Sequence, residues 1–104
     1  MHSHFKTKVY QVVSTIAAGK VATYSQVARA IGYPNAARPE GNALQQNNNP
    51  AVTASHRMIS FHGKVSISYK FGGTVVQHLQ IDAEGISLRD EITIDELKKY
   101  LIPL

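Results

Sequence analysis

The apolar positions of this chain fall into short helical stripes separated by small and polar breaks. Val9, Val12, Val13 and Ile16 stand at i, i+3, i+4 and i+7, one face of a helix. Ala18-Gly19-Lys20 ends that helix. Thr23 and Gln26 then have the spacing of a capping box, and Tyr24, Val27, Ala28 and Ile31 repeat the stripe. Gly32-Tyr33-Pro34 reads as a turn, and Asn35 can cap a third helix running to about Gln46. Pro39 lies in its early turns, where the ring is tolerated or kinks the helix. Two short helices joined by a Gly-containing turn form a helix-turn-helix outline.

The second half mixes periods. "QQNNNP" (residues 45–50) is polar and turn-like, and Ala51–Thr53 reads as a short buried strand. A Ser-His-Arg turn and a Gly63 turn follow, and the alternating Val65, Ile67 and Tyr69 predict another strand. Gly72-Gly73 breaks the chain. Val75, Val76, Leu79 and Ala83 then sketch a helix closed at Gly85. Thr93 and Glu96 have the spacing to cap a short C-terminal helix that carries Leu97 and Leu101 on one face. With no internal repeat and no linker, these elements predict a small single domain over residues 1–104. It is α/β mixed and mainly α, around a helix-turn-helix (winged-helix-like) core.

Composition agrees with one modest core. At 43% hydrophobic and 17% charged residues the chain reads as globular rather than disordered. No apolar run approaches the roughly 18 residues of a membrane span, so no membrane partner is expected. The opening MHSHFKTK has no apolar h-region, and an intracellular setting is expected. The absence of cysteine removes disulfides, thiolate metal sites and thiol catalysis together. His2, His4, His56, His62 and His78 lack metal-ligand spacing, so neither a metal nor another cofactor is expected.

Charge is uneven. Residues 1–81 hold eight lysines and arginines against one acid, Glu40, while residues 82–104 hold three against six. A basic body suits a polyanionic partner such as nucleic acid, although ordinary surface charge would look the same. The third helical segment is unusual in composition, with Ala36, Ala37, Gly41 and Ala43 around one base, Arg38. Small residues let a helix lie close against another surface. That surface is either DNA, with Arg38 as a phosphate or base partner, or the protein's own core.

Taken together, "GKVATYSQVA", "AAR..GNAL", "N..P....SHR", "Y.FG" and "AEG" follow the order and spacing of a known family. Over about residues 6–86 the chain resembles the C-terminal DNA-binding domain of the O6-alkylguanine-DNA alkyltransferases (methylated-DNA–protein-cysteine methyltransferases), leaving residues 87–104 as an acidic C-terminal extension. The family's nucleophile lies in a Pro-Cys-His-Arg motif. Here that stretch reads Ala54-Ser55-His56-Arg57, so both the Pro and the Cys are replaced. In lacking the cysteine, the chain is most similar to the alkyltransferase-like proteins. These bind O6-alkylguanine without repairing it and flag it for nucleotide excision repair. Many of them carry Trp where this chain has Ser55.

The replacement bears on the chemistry. Alkyl transfer from guanine O6 is a displacement at saturated carbon, which a thiolate performs well. A serine hydroxyl ionises far less readily, and its activation by His and a carboxylate normally serves acyl transfer. Nothing here matches the G-x-S-x-G elbow of serine hydrolases. By resemblance Glu84 stands behind His56, so Ser55, His56 and Glu84 are expected as the remnant of a relay, joined through water.

The resemblance implies further roles. Arg38 matches the arginine finger that fills the DNA stack where the target nucleotide is rotated out, a task suited to a planar guanidinium. Ala37, Gly41 and Ala43 would let their helix sit close in a minor groove. Tyr24 matches a tyrosine that crowds the target's 3′ phosphate and contacts the extruded base, with core packing as its alternative. Asn47 matches a hinge asparagine, and Tyr69 a pocket-lining tyrosine. With Ser55, Tyr24, Asn47 and Tyr69 make up the expected lesion pocket. Arg57 is expected to anchor backbone carbonyls. The implied function is non-enzymatic recognition of O6-alkylguanine in double-stranded DNA by nucleotide flipping, with nucleotide excision repair proteins as partners. Two alternatives stand beside it. One is a methyltransferase whose nucleophile has become Ser, and the other is a remnant that binds DNA generally.

Overall fold

A computed structural model describes residues 2–33, 39, 43–44, 53–60, 62–65, 71–90 and 93–103. The helix α1, His2–Val13, carries the first apolar stripe, with Val9 and Val13 fully buried. It stops sooner than the stripe suggests. The Thr15 hydroxyl and the Thr15 N–H both donate to the Val12 carbonyl, at 2.6 and 3.0 Å, which tightens the last turn. Ile16 therefore lies beyond the helix but is still buried.

The chain then forms a two-residue strand β1, Ala22–Thr23, and a helix α2, Tyr24–Ala30. The capping box is present in full. The Gln26 N–H donates to Thr23 Oγ1 at 3.1 Å, and the Thr23 N–H donates to Gln26 Oε1 at 2.9 Å. Val27 and Ala28 face the core. Of the third helical segment, Pro39, Ala43 and Leu44 are described and are helical. Ala43 and Leu44 are buried, and the Tyr10 hydroxyl donates to the Ala43 carbonyl at 2.7 Å, which seats that segment on α1. Burial raises the pKa of Tyr10.

Ser55–Arg57 form one turn of 3-10 helix that leads into β2, Met58–Ile59. β1 and β2 pair in parallel, Ala22 against Met58 and Thr23 against Ile59. Side chains alternate across a strand, so this short ladder separates two apolar clusters. Ala22 and Met58 join Val9, Val13, Ile16, Val27, Ile31 and Leu44 on one side. Val21 and Ile59 join Val65, Ile81, Ile86 and Ile94 on the other. A bridge of Val21 with Leu101 extends the ladder, with the Val21 N–H donating to the Tyr100 carbonyl at 2.9 Å.

The helix α3, Gly73–Ala83, follows Gly72, whose φ of 132° suits only glycine and where a Cβ would overlap the Val76 side chain. Its register corrects the sequence pattern. Val75 and Leu79 are 69% and 58% exposed, and the helix buries Gln77 and Ile81 instead. The C-terminal helix α4, Leu97–Tyr100, is also present, but its expected cap is not. Glu96 occupies the cap position in a left-handed conformation with no side-chain bond. Thr93 is buried and bridged to Lys64, its N–H donating to Asp90 Oδ1 at 2.8 Å. Residues 93–103 are thus bound into the body, and Gln26 Nε2 donates to the Ile102 carbonyl at 2.9 Å. Thr53 lies in a bend, and Val65 lies outside any strand. The rest of those two expected strands falls outside the described residues. No helix among the described residues is long and apolar enough to cross a membrane.

Candidate functional site

The β1–β2 register sets the site. It brings the 3-10 turn of Ser55, His56 and Arg57, which precedes β2, alongside the loop that leads from α1 into β1. Ser55 and His56 are both 8% exposed. Successive residues of a 3-10 turn point about 120° apart. Ser55 and His56 therefore diverge, and among the described residues no direct hydrogen bond joins the Ser55 hydroxyl to His56. The Ser55 N–H donates to the Thr53 carbonyl at 2.9 Å, and its own carbonyl accepts from the Met58 N–H, so its backbone is held at both ends.

His56 and Arg57 converge on one carboxylate. Glu84, just past the end of α3, has Oε2 2.6 Å from His56 Nε2. Arg57 Nε donates to Oε1 at 2.9 Å and its Nη2 to Oε2 at 2.8 Å, a fork against the carboxylate. The Gly19 N–H donates to Oε1 at 3.2 Å from a turn where φ is 85°. Arg57 Nη1 continues to the Ile16 carbonyl at 2.7 Å. The expected anchoring of a backbone carbonyl by Arg57 is therefore present, and Glu84 is its main partner.

Burial by itself would raise the Glu84 carboxyl. The hydrogen bonds from Arg57, from His56 and from the Gly19 N–H, with the charge of His56, outweigh it and hold the group at about 2. Glu84 is then an anion at neutral pH and can only accept, so His56 Nε2 carries the hydrogen between them. That bond fixes the ring's orientation and leaves Nδ1 as its other polar atom. The arrangement holds the imidazole in one orientation on the turn that carries a buried serine.

Of the expected site residues, the structure joins His56 with Glu84 and places Ser55 on the same turn. Tyr24 is half-buried at the start of α2 and packs against the first cluster. Ala43 faces inward against α1. Ala37, Arg38, Gly41, Asn47 and Tyr69 lie outside the described residues. Two residues of the site have no sequence signal of their own. The Gly19 N–H is invisible to motif reading, and Gln77, whose side-chain amide donates to the His56 carbonyl at 3.0 Å, carries no weight in a search for apolar periodicity. Among the described residues no three His, Asp or Glu side chains come together as a metal site.

Residues 4–86 match the family model of the 6-O-methylguanine DNA methyltransferase DNA-binding domain. The chain belongs to this family. It is similar to Alkyltransferase-like protein 1 of Schizosaccharomyces pombe, 34% identical over 84 residues, which are 81% of this chain and 78% of that protein. It is also similar to the DNA base-flipping protein of Escherichia coli (strain K12), 33% identical over 97 residues, 92% of this chain and 72% of that one. Its fold matches the crystal structure of S. pombe Atl1 in complex with damaged DNA containing O6-carboxymethylguanine. The TM-score is 0.83 at 30% identity, covering 98% of this chain and 97% of that one. The mainly helical mixed fold expected from the stripes is the fold of this family.

Proposed function

We propose that this protein binds double-stranded DNA inside the cell, rotates an O6-alkylguanine out of the stack and holds it without transferring the alkyl group. The observation that carries this reading is Ser55. It stands where the family places its nucleophile, one residue before a His56 that is hydrogen-bonded to Glu84. The supporting geometry survives and the reactive atom does not. A neutral hydroxyl is a poor nucleophile toward saturated carbon, and its neighbour His56 points along a different direction of the turn. The names of the similar proteins, an alkyltransferase-like protein and DNA base-flipping proteins, support the same reading. Without chemistry of its own, the bound lesion has to be passed to other repair proteins, and nucleotide excision repair proteins are the proposed recipients.

The test is a titration of two duplexes identical but for one O6-methylguanine, at fixed moderate salt. Tighter binding to the lesion, with no label passing from a radiolabelled O6-methyl group to protein, is the expected result. Equal affinity for both duplexes, falling steeply with salt, would instead mean general DNA binding. The retained His56–Glu84 pair favours one further reading, a methyltransferase whose nucleophile is replaced. Label found on Ser55 would establish it.

A further inference from the structure

Gln77 is 1% exposed, the only residue apart from Ile81 that the middle of α3 buries. Its side-chain amide donates to two main-chain carbonyls, that of His56 at 3.0 Å and that of Met58 at 2.9 Å. Both hydrogens of one NH2 group are thereby used on alternate residues of the same strand of chain. Those residues are the His of the Ser-His-Arg turn and the first residue of β2. The geometry points to Gln77 as the positioning residue of the lesion pocket, setting the pitch of the Ser55–Arg57 turn against the β1–β2 ladder.

A 3-10 turn is a loose element with poor hydrogen-bond geometry, and it holds a side chain steady only where something outside fixes its carbonyls. Within the turn, the Arg57 N–H bonds the Ala54 carbonyl and the Met58 N–H bonds the Ser55 carbonyl, so the His56 carbonyl takes its bond from Gln77. β2 is then in register with β1, whose Thr23 caps the helix that begins with Tyr24. A single amide thus ties α3 to the turn carrying Ser55 and His56 and, through two paired strands, to the start of α2. Glu84, at the end of the same α3, grips the His56 ring. Helix α3 therefore holds His56 twice, by its carbonyl and by its imidazole. A group held at two points can meet an extruded base without rearranging. This role rests on the lesion-reading function proposed above.

Gln77→Met keeps the length and removes the donors. Lesion preference, the ratio of affinities for O6-methylguanine duplex and plain duplex, should fall about tenfold, as expected for one lost hydrogen bond's worth of positioning. The ratio cancels any loss of folded protein, which would weaken both affinities alike. Leu79→Ala, on the exposed face of the same helix, should keep the ratio. Nitrogen NMR of the His56 ring gives a reading that needs no DNA. The Nε2–H resonance should be sharp in the wild type and broadened or shifted in Gln77→Met. Should Gln77→Met not fold, Gln77→Asn, whose shorter amide reaches one carbonyl, should show an intermediate ratio and the same broadening. An unchanged ratio with an unchanged His56 spectrum would overturn the role. A wild type with no lesion preference would sink the lesion reading instead, and the His56 spectra would still decide for or against Gln77.

Discussion

Glu84 Oε2 lies 2.6 Å from His56 Nε2, across 28 positions of sequence, and Arg57 holds the same carboxylate. The pair is therefore at once part of the site and part of the fold. It joins the turn before β2 to the end of α3, and Gly19 adds the loop between α1 and β1.

Acid should weaken the fold through this carboxylate. Its pKa is lowered from an ordinary 4.5 to about 2, so its contribution is fully present above the unfolded value and is lost as pH falls from about 4.5 toward 2. Glu84→Gln should remove that dependence and lower neutral-pH stability by on the order of 2 kcal/mol, after solvent screening is allowed for. Urea unfolding at pH 7, 4 and 3 checks this; parallel pH profiles for wild type and variant would contradict it.

Removing the acceptor altogether should cost more. In Glu84→Ala, Arg57, with its side chain 18% exposed, keeps its charge but loses the fork, and Gly19 loses its acceptor. The expected loss is about 3 kcal/mol, since an ion-pair partner is left buried and unmatched. The double variant Glu84→Ala with Arg57→Met should recover part of it in the same unfolding experiment.

Ser55 is a test of chemistry rather than stability. Its main chain makes the bonds seen here, so Ser55→Ala should leave the fold and the lesion preference within about a factor of three. Duplex titrations measure this. A loss of lesion preference above tenfold would give the hydroxyl a direct role in reading the base.

The cap of α2 should matter for both folding and binding. Thr23→Ala removes the acceptor of the Gln26 N–H at the helix that presents Tyr24, and about 1 kcal/mol of stability should go with it. Thermal unfolding gives the size of the loss, and a variant as stable as wild type would mean that the β1–β2 pairing alone fixes that end.

Arg38, the expected finger, is best judged by selectivity. Arg38→Ala should reduce lesion preference several-fold more than Lys64→Ala, a surface change that weakens binding to all duplexes alike. Equal effects on the ratio would remove Arg38 from that role.

The sequence alone determined where α1, α2, α3 and α4 lie, and the family. Local spacing writes these features directly into the chain: the stripe of α1, the Thr23–Gln26 box, the glycines before α3 and the order of short motifs. It also named Ser55, His56 and Glu84 as neighbours, through the resemblance rather than through any physical pattern. What only the tertiary structure decided is how the site is held. The parallel pairing of Ala22–Thr23 with Met58–Ile59 joins residues far apart, and two residues are too few to leave an alternating pattern. The inward face of α3 turned on Gln77, whose partners are carbonyls 19 and 21 positions away, so a stripe of Val75 and Leu79 pointed to the wrong face. The end of α1 depended on which groups took its last carbonyls, with Thr15 at Val12 and the Ile16 N–H at Val13. Periodicity reports which side of an element is apolar, and backbone hydrogen bonds from distant side chains leave no trace in it.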